Sequence, residues 1–164
     1  MPSYNDLQIN YQGCELDICS EKLTSLADCP EHITGQFNCR YNELRTLAGG
    51  PQKVDGDYKC YSNQLTDLIG CASHIGDTLI CWNNQITSLV GIHKIIKRCS
   101  SIEFDANKIT EGGIGLLLIE NLIWISSNSS PFAIIEKYIG NGTKGMMACR
   151  AELISKGWAD NAKL

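Results

Sequence analysis

The stretch "FNCRYNELRTL", Phe37 to Leu47, returns twice at a fixed step of 21 residues, as "YKCYSNQLTDL" from Tyr58 and as "LICWNNQITSL" from Leu79. Cys39, Cys60 and Cys81 share one slot, Asn42, Asn63 and Asn84 a second, and Leu44, Leu65 and Ile86 a third; Leu47, Leu68 and Leu89 share a fourth. The frame runs backwards onto "LDICSEKLTSL", with Ile18 in the cysteine slot and Glu21 in the asparagine slot. It runs forwards onto "IEFDANKIT" if two residues are inserted, which brings Phe104, Asn107 and Ile109 into phase. Self-similarity at such a period is the mark of a solenoid, and it decides how every other residue is read.

Each unit begins with alternating apolar residues, such as Phe37 and Cys39, which suit a short strand of period two. One unit cannot bury its own apolar face, so the units must stack into a parallel sheet over a continuous column. Ile33, Val54, Ile75 and Ile96 are expected to share an inward slot on the return path. Pro30 and Pro51 share another slot, and Gly35, Gly56 and Asp77 a third. An amide in the asparagine slot can satisfy backbone groups where the chain leaves the ladder. The cysteine slot is an inward one, where free cysteine serves as a small hydrophobe. Stacked strands hold side chains parallel about 4.8 Å apart, which does not suit a disulfide.

The 164 residues suit one domain or one with a small appendage, and 43% hydrophobic with 20% charged residues is ordinary for a globular chain. A net charge of −4 argues against a nucleic-acid partner, which calls for a basic stripe. The longest apolar run, "IGLLLI", is too short to span a bilayer, and "MPSYNDLQIN" lacks the pattern of a signal peptide. A reduced, cytoplasmic protein is the expectation, with nine cysteines read as thiols. No CxxC pair, phosphate loop, HExxH or EF-hand pattern occurs, so no metal, cofactor or catalytic residue is expected.

Residues flanking the inward slots are free of stacking constraints. One outward column reads Cys19, Arg40, Tyr61, Trp82, Asp105; the next reads Asp17, Asn38, Lys59, Ile80, Glu103. Trp, Tyr and Arg are the residue types enriched at binding hot spots, so Arg40, Tyr61 and Trp82 are the candidate anchors. Lys59 and Ile80 stand beside them and Tyr41 extends the patch at the rim. His32, Lys53 and His74 form a separate column, read as a solvated outer face.

Past Ile109 the repeat stops. "IGLLLI" and "LIWI" read as a last pair of strand-like runs. A helix is expected with Ser130 as N-cap, Pro131 first, Phe132, Ile135 and Ile139 inward and Gly140 as stop. A second helix is expected over Lys144 to Lys156, with Met147, Leu153 and Ile154 inward and Gly157 ending it.

The unit resembles the leucine-rich repeat in its short form, without a helix per turn. "GGIGLLLIENL" and "PFAIIEKYIGNGTKGMMACRAELISKGWADNAKL" are similar to the C-terminal end of small leucine-rich-repeat proteins carried by tailed bacteriophages and prophages. The expected fold is α+β: a short-repeat leucine-rich-repeat solenoid over residues 1–127, including an N-terminal capping strand, and a helical cap over 128–164. The expected function is non-catalytic binding of a host protein such as a defence complex or regulatory enzyme. Two other classes remain open. One is an effector-type enzyme with Cys149 as nucleophile, by likeness to bacterial leucine-rich-repeat ubiquitin ligases; the other is a protein that self-associates through a strand edge.

Overall fold

A computed structural model describes residues 2–106, 108–126 and 130–164. Six short parallel strands form one sheet: β1 (Leu16–Asp17), β3 (Phe37–Asn38), β5 (Tyr58–Lys59), β7 (Thr78–Ile80), β8 (Ser101–Glu103) and β9 (Trp124–Ile125), in that order. A second parallel sheet is made by β2 (His32–Ile33), β4 (Lys53–Val54) and β6 (His74–Ile75). Phe37 pairs with Tyr58 and Tyr58 with Leu79, so each turn of the chain is one 21-residue unit. The result is a parallel solenoid with α+β character, closed at its C-terminal end by helices.

The inward slots fill the space between the two sheets. Phe37, Cys39, Leu44, Leu47, Tyr58, Cys60, Leu65 and Leu79 are all fully buried, and all nine cysteines are free thiols. The asparagine slot does what its amide chemistry allows. Asn63 Nδ2 donates to the carbonyls of Cys39 (3.0 Å) and Cys60 (3.1 Å), while its Oδ1 accepts from Leu44 N–H at 3.0 Å. Asn84 repeats the pattern one unit on, with Cys60 O, Cys81 O and Leu65 N–H. Asn42 does so one unit earlier, with Ile18 O, Cys39 O and Leu23 N–H. Each amide therefore stitches two or more turns and leaves few buried backbone groups unpaired. Asn107 lies outside the described residues. Gly70, in the left-handed region at φ 87°, lies so close to the backbone of Leu47 and Ala48 that a β-carbon would collide with both.

The two-residue insertion is real. Leu79 pairs with Ile102 and Ile102 with Ile125, steps of 23 residues. The extra residues accompany a single helical turn, α1 (Ile92–Ile95), absent from the earlier units. They also correct the return-path column: His74 bridges Arg98, which places Cys99 rather than Ile96 level with Ile75. Ile96 is buried at the end of α1 instead. The run "IGLLLI" is likewise no strand. Residues Gly113–Leu118 form a 3-10 helix after Gly112, because the segment occupies the turn of the unit and not its ladder.

The N-terminal end carries a 3-10 turn, Tyr4–Leu7, preceded by a bridge between Ser3 and Ser25 and a bond from Thr24 N–H to Pro2 O. At the other end α2 (Phe132–Glu136) starts after Pro131, which takes the N-cap position expected for Ser130. Phe132 meets Phe104 edge-on at 4.8 Å and, with Ile135, presses against Gly113, where any side chain would clash. The second helix, α3 (Gly142–Ser155), turns a different face inward from the one expected. Gly145, Cys149 and Leu153 are buried at four-residue spacing, whereas Met147 is 73% and Ile154 53% exposed. Gly145 and Cys149 are weak hydrophobic signals, so the stripe was hidden behind two larger apolar residues pointing to solvent. Gly157, at φ 85°, ends the helix. Lys137 Nζ and Tyr138 Oη both donate to the Glu152 carboxylate, at 2.9 and 2.7 Å, joining α2 to α3. Asn161 Nδ2 donates to Thr110 O and fastens the end of the chain to the solenoid. The expected junction between residues 127 and 128 falls outside the described residues.

Candidate binding surface

The outward residues of the six-stranded sheet form columns because the strands are parallel and in register. Adjacent strands lie about 4.8 Å apart, so planar side chains in one column meet face to face. Tyr61 and Trp82 do so, with ring centroids 4.1 Å apart and planes within 18°. Tyr41 meets Tyr61 edge-on at 5.4 Å. Arg40 closes the N-terminal end of the stack. Its Nη1 donates to Tyr61 Oη at 2.8 Å, and its guanidinium carbon lies 5.7 Å from the Tyr61 ring centre and 5.9 Å from that of Tyr41. The hydrogen bond to Tyr61 raises the Arg40 pKa further, so it is a fixed positive charge.

Four of the expected residues, Arg40, Tyr41, Tyr61 and Trp82, therefore come together as one cluster on adjacent turns. Tyr41 occupies a slot with a left-handed backbone, φ 54°, that Ser20, Ser62 and Asn83 fill in neighbouring units. That conformation suits asparagine better than tyrosine. Tyr41 nonetheless carries a large ring there, 53% exposed. Ile80 is half-buried beside the stack on β7. Lys59 differs from expectation in its availability: its Nζ lies 2.6 Å from Gln36 Oε1 and 3.4 Å from Asp57 Oδ2, so its charge is answered within the face.

The carboxylates of the face are arranged unevenly. Burial works to raise the Asp17 pKa, but bonds from Cys19 N–H and Asn38 outweigh it and hold the carboxyl below its ordinary range. Asp105 accepts from Asn83 N–H at 2.7 Å and from Lys108 at 3.1 Å. Sequence reasoning missed Trp124, 43% exposed on β9 and level with Ser101. The signal was the same 23-residue step that carries Leu79 to Ile102, applied once more.

On the second sheet, His32, Lys53 and His74 do share a column, and Arg98 extends it. Asp55 accepts from Lys53 at 2.8 Å and from His32 at 2.9 Å, bonds that hold its carboxyl below the usual range. A shallow cleft of about 270 Å³ opens beside Lys53, His74 and Arg98. Cys149 faces the interior of the cap, and burial, then Glu152, pushes its thiol up to about 11, where a reactive thiolate does not form at neutral pH. Among the described residues no three metal-ligating side chains converge, and no helix is long and apolar enough to cross a membrane. No family model, curated protein or solved structure matches this chain.

Proposed function

We propose that the protein is a non-catalytic binding module that recognises a protein partner through the exposed face of the six-stranded sheet. The observation that carries this is the cluster of Arg40, Tyr41, Tyr61 and Trp82, a contiguous aromatic surface on a face that stacking leaves free. Such residues bury large apolar area on contact while keeping polar handles. The likeness of the repeats to short leucine-rich repeats, and of the C-terminal segment to bacteriophage proteins of that class, gives the setting. The protein acts in the host cytoplasm, where it binds and blocks a host protein such as a defence complex or a regulatory enzyme.

The test pairs two measurements on Trp82→Ala: thermal unfolding, and capture of host proteins by the tagged chain. Loss of the Tyr61 stack should cost about 1 kcal/mol of stability, within the range for aromatic pairs. Partner affinity should fall by about 2 kcal/mol or more, the hot-spot threshold. Unchanged capture by Trp82→Ala, together with loss in Met147→Asp on the outer face of the cap, would move the recognition surface to the cap.

A further inference from the structure

We infer that the ground on the C-terminal side of Trp82 is a site for a guanidinium or ammonium side chain, so that the face selects a basic segment of its protein partner. The inference rests on the reading of this face as a protein-binding surface and adds the chemistry of what binds.

The face contains its own precedent. At one end of the stack, Arg40 already lies against Tyr61 and Tyr41 with its fork bonded to Tyr61 Oη. The other end has no such partner. Beyond Trp82 the column passes to Asp105, so no aromatic side chain continues the stack. A π-face bordered by carboxylates attracts a cation from two directions. The adjoining column supplies the second carboxylate. The side-chain carboxylate of Glu103, half-buried on β8, has neither ion pair nor hydrogen-bond partner among the described residues, whereas the side chains of Lys59, Asp57 and Asp105 all have theirs. A carboxylate without a protein partner beside an open aromatic edge is free to receive an incoming cation.

The surroundings fit an extended basic chain. Ser101 keeps the floor low, and Trp124 rises on the next strand, so Glu103 lies between two tryptophans. With a third outward column that reads Glu15, Gln36, Asp57, Thr78, Ser101, the face carries Glu15, Asp17, Asp57, Glu103 and Asp105 against Arg40 and Lys59. This balance repels a phosphate backbone and steers a basic peptide.

The test uses the full chain and the side-chain N–H resonances of its three tryptophans, Trp82, Trp124 and Trp158. The probe is a blocked peptide of alternating arginine and glycine, with a glutamate–glycine peptide and an oligothymidylate as comparators. The arginine peptide should move the Trp82 and Trp124 signals saturably and leave Trp158, in the cap, in place. Glu103→Gln should weaken this binding by about three- to fivefold, the scale of one exposed cation contact. Glu15→Gln makes the same change of net charge on the first unit and should have no effect. Equal effects of the two substitutions, or binding of the glutamate peptide or the oligothymidylate at Trp82, would overturn the inference. Partner capture separates the two levels. Loss in both Trp82→Ala and Glu103→Gln supports the cation site. Loss in Trp82→Ala alone overturns it while leaving the binding face intact, and retention in both overturns both.

Discussion

Raising the pH should unfold this protein well below the pH at which most domains yield. Of its nine free thiols only Cys14 and Cys19 are not buried, which leaves seven in the interior. Burial pushes Cys29 up to about 12 and Cys99 up to about 11, and Cys149 likewise to about 11. Cys39, Cys60, Cys71 and Cys81 are driven up for the same reason, further increased by neighbouring thiols or carboxylates. In the unfolded chain a thiol ionises at about 8.5. With the folded pKa above the unfolded one, the stabilisation is complete below the unfolded value and is lost as pH rises towards the folded value. Each thiol then contributes a loss of about 0.4 kcal/mol at pH 8.5 and about 1.4 kcal/mol at pH 9.5. Seven together amount to about 3 and about 10 kcal/mol, against a typical total of about 5–15. Urea unfolding in reducing buffer at intervals from pH 7 to 9.5 reads this directly as a falling midpoint at constant m. Cys149→Ala should flatten the pH slope by about one part in seven, since it removes one titrating group. A midpoint unchanged to pH 9.5 would show that the thiols are not buried in the folded chain, and with that the stacked core would fall.

Two further substitutions probe the solenoid at neutral pH. Asn63→Ala removes three buried hydrogen bonds and leaves Leu44 N–H without its acceptor, so urea unfolding should show a loss of about 3–5 kcal/mol. The exposed Asn83→Ala, which loses one exposed hydrogen bond and puts alanine in a left-handed backbone, should cost less, about 1–2 kcal/mol. Tyr58→Phe should be neutral or stabilise by up to about 2 kcal/mol, because the Tyr58 hydroxyl is fully buried with no partner. A clear loss of stability on removing that hydroxyl would mean that it is bonded after all.

The readability of the chain follows its translation symmetry. Cys39, Cys60 and Cys81 could be placed in the core, and Asn42, Asn63 and Asn84 at the exit from the strand, because each position is stated three times over. Where the symmetry breaks, one statement must suffice. The insertion could be counted from Asn84 to Asn107 but not located, and Cys99 therefore went unseen behind Ile96 in the return column. In α3 the period is local, and Met147 and Ile154 outweighed the Gly145–Cys149–Leu153 stripe because hydrophobicity does not record how closely a helix can approach. The outward columns were legible as columns. What the sequence could not show was contact within them: that Lys59 is occupied by Gln36 and Asp57, or that Arg40 is held by Tyr61.

That contact also bears on whether the aromatic cluster serves the fold instead of a partner. Stacking Tyr61 on Trp82 contributes about 0.5–1.5 kcal/mol between turns, so the strip has a structural share. A strip kept only for that share would close on itself, as Gln36, Asp57 and Lys59 do two slots away. It would also have no use for Tyr41, whose left-handed backbone is better served by the serine or asparagine of the adjacent units. Instead the cluster spreads onto an exposed ring at one rim and stops at an unanswered glutamate on the other side. A partner bound across the face, as proposed above, would cover the exposed Tyr41 ring and give the Glu103 carboxylate a counter-charge.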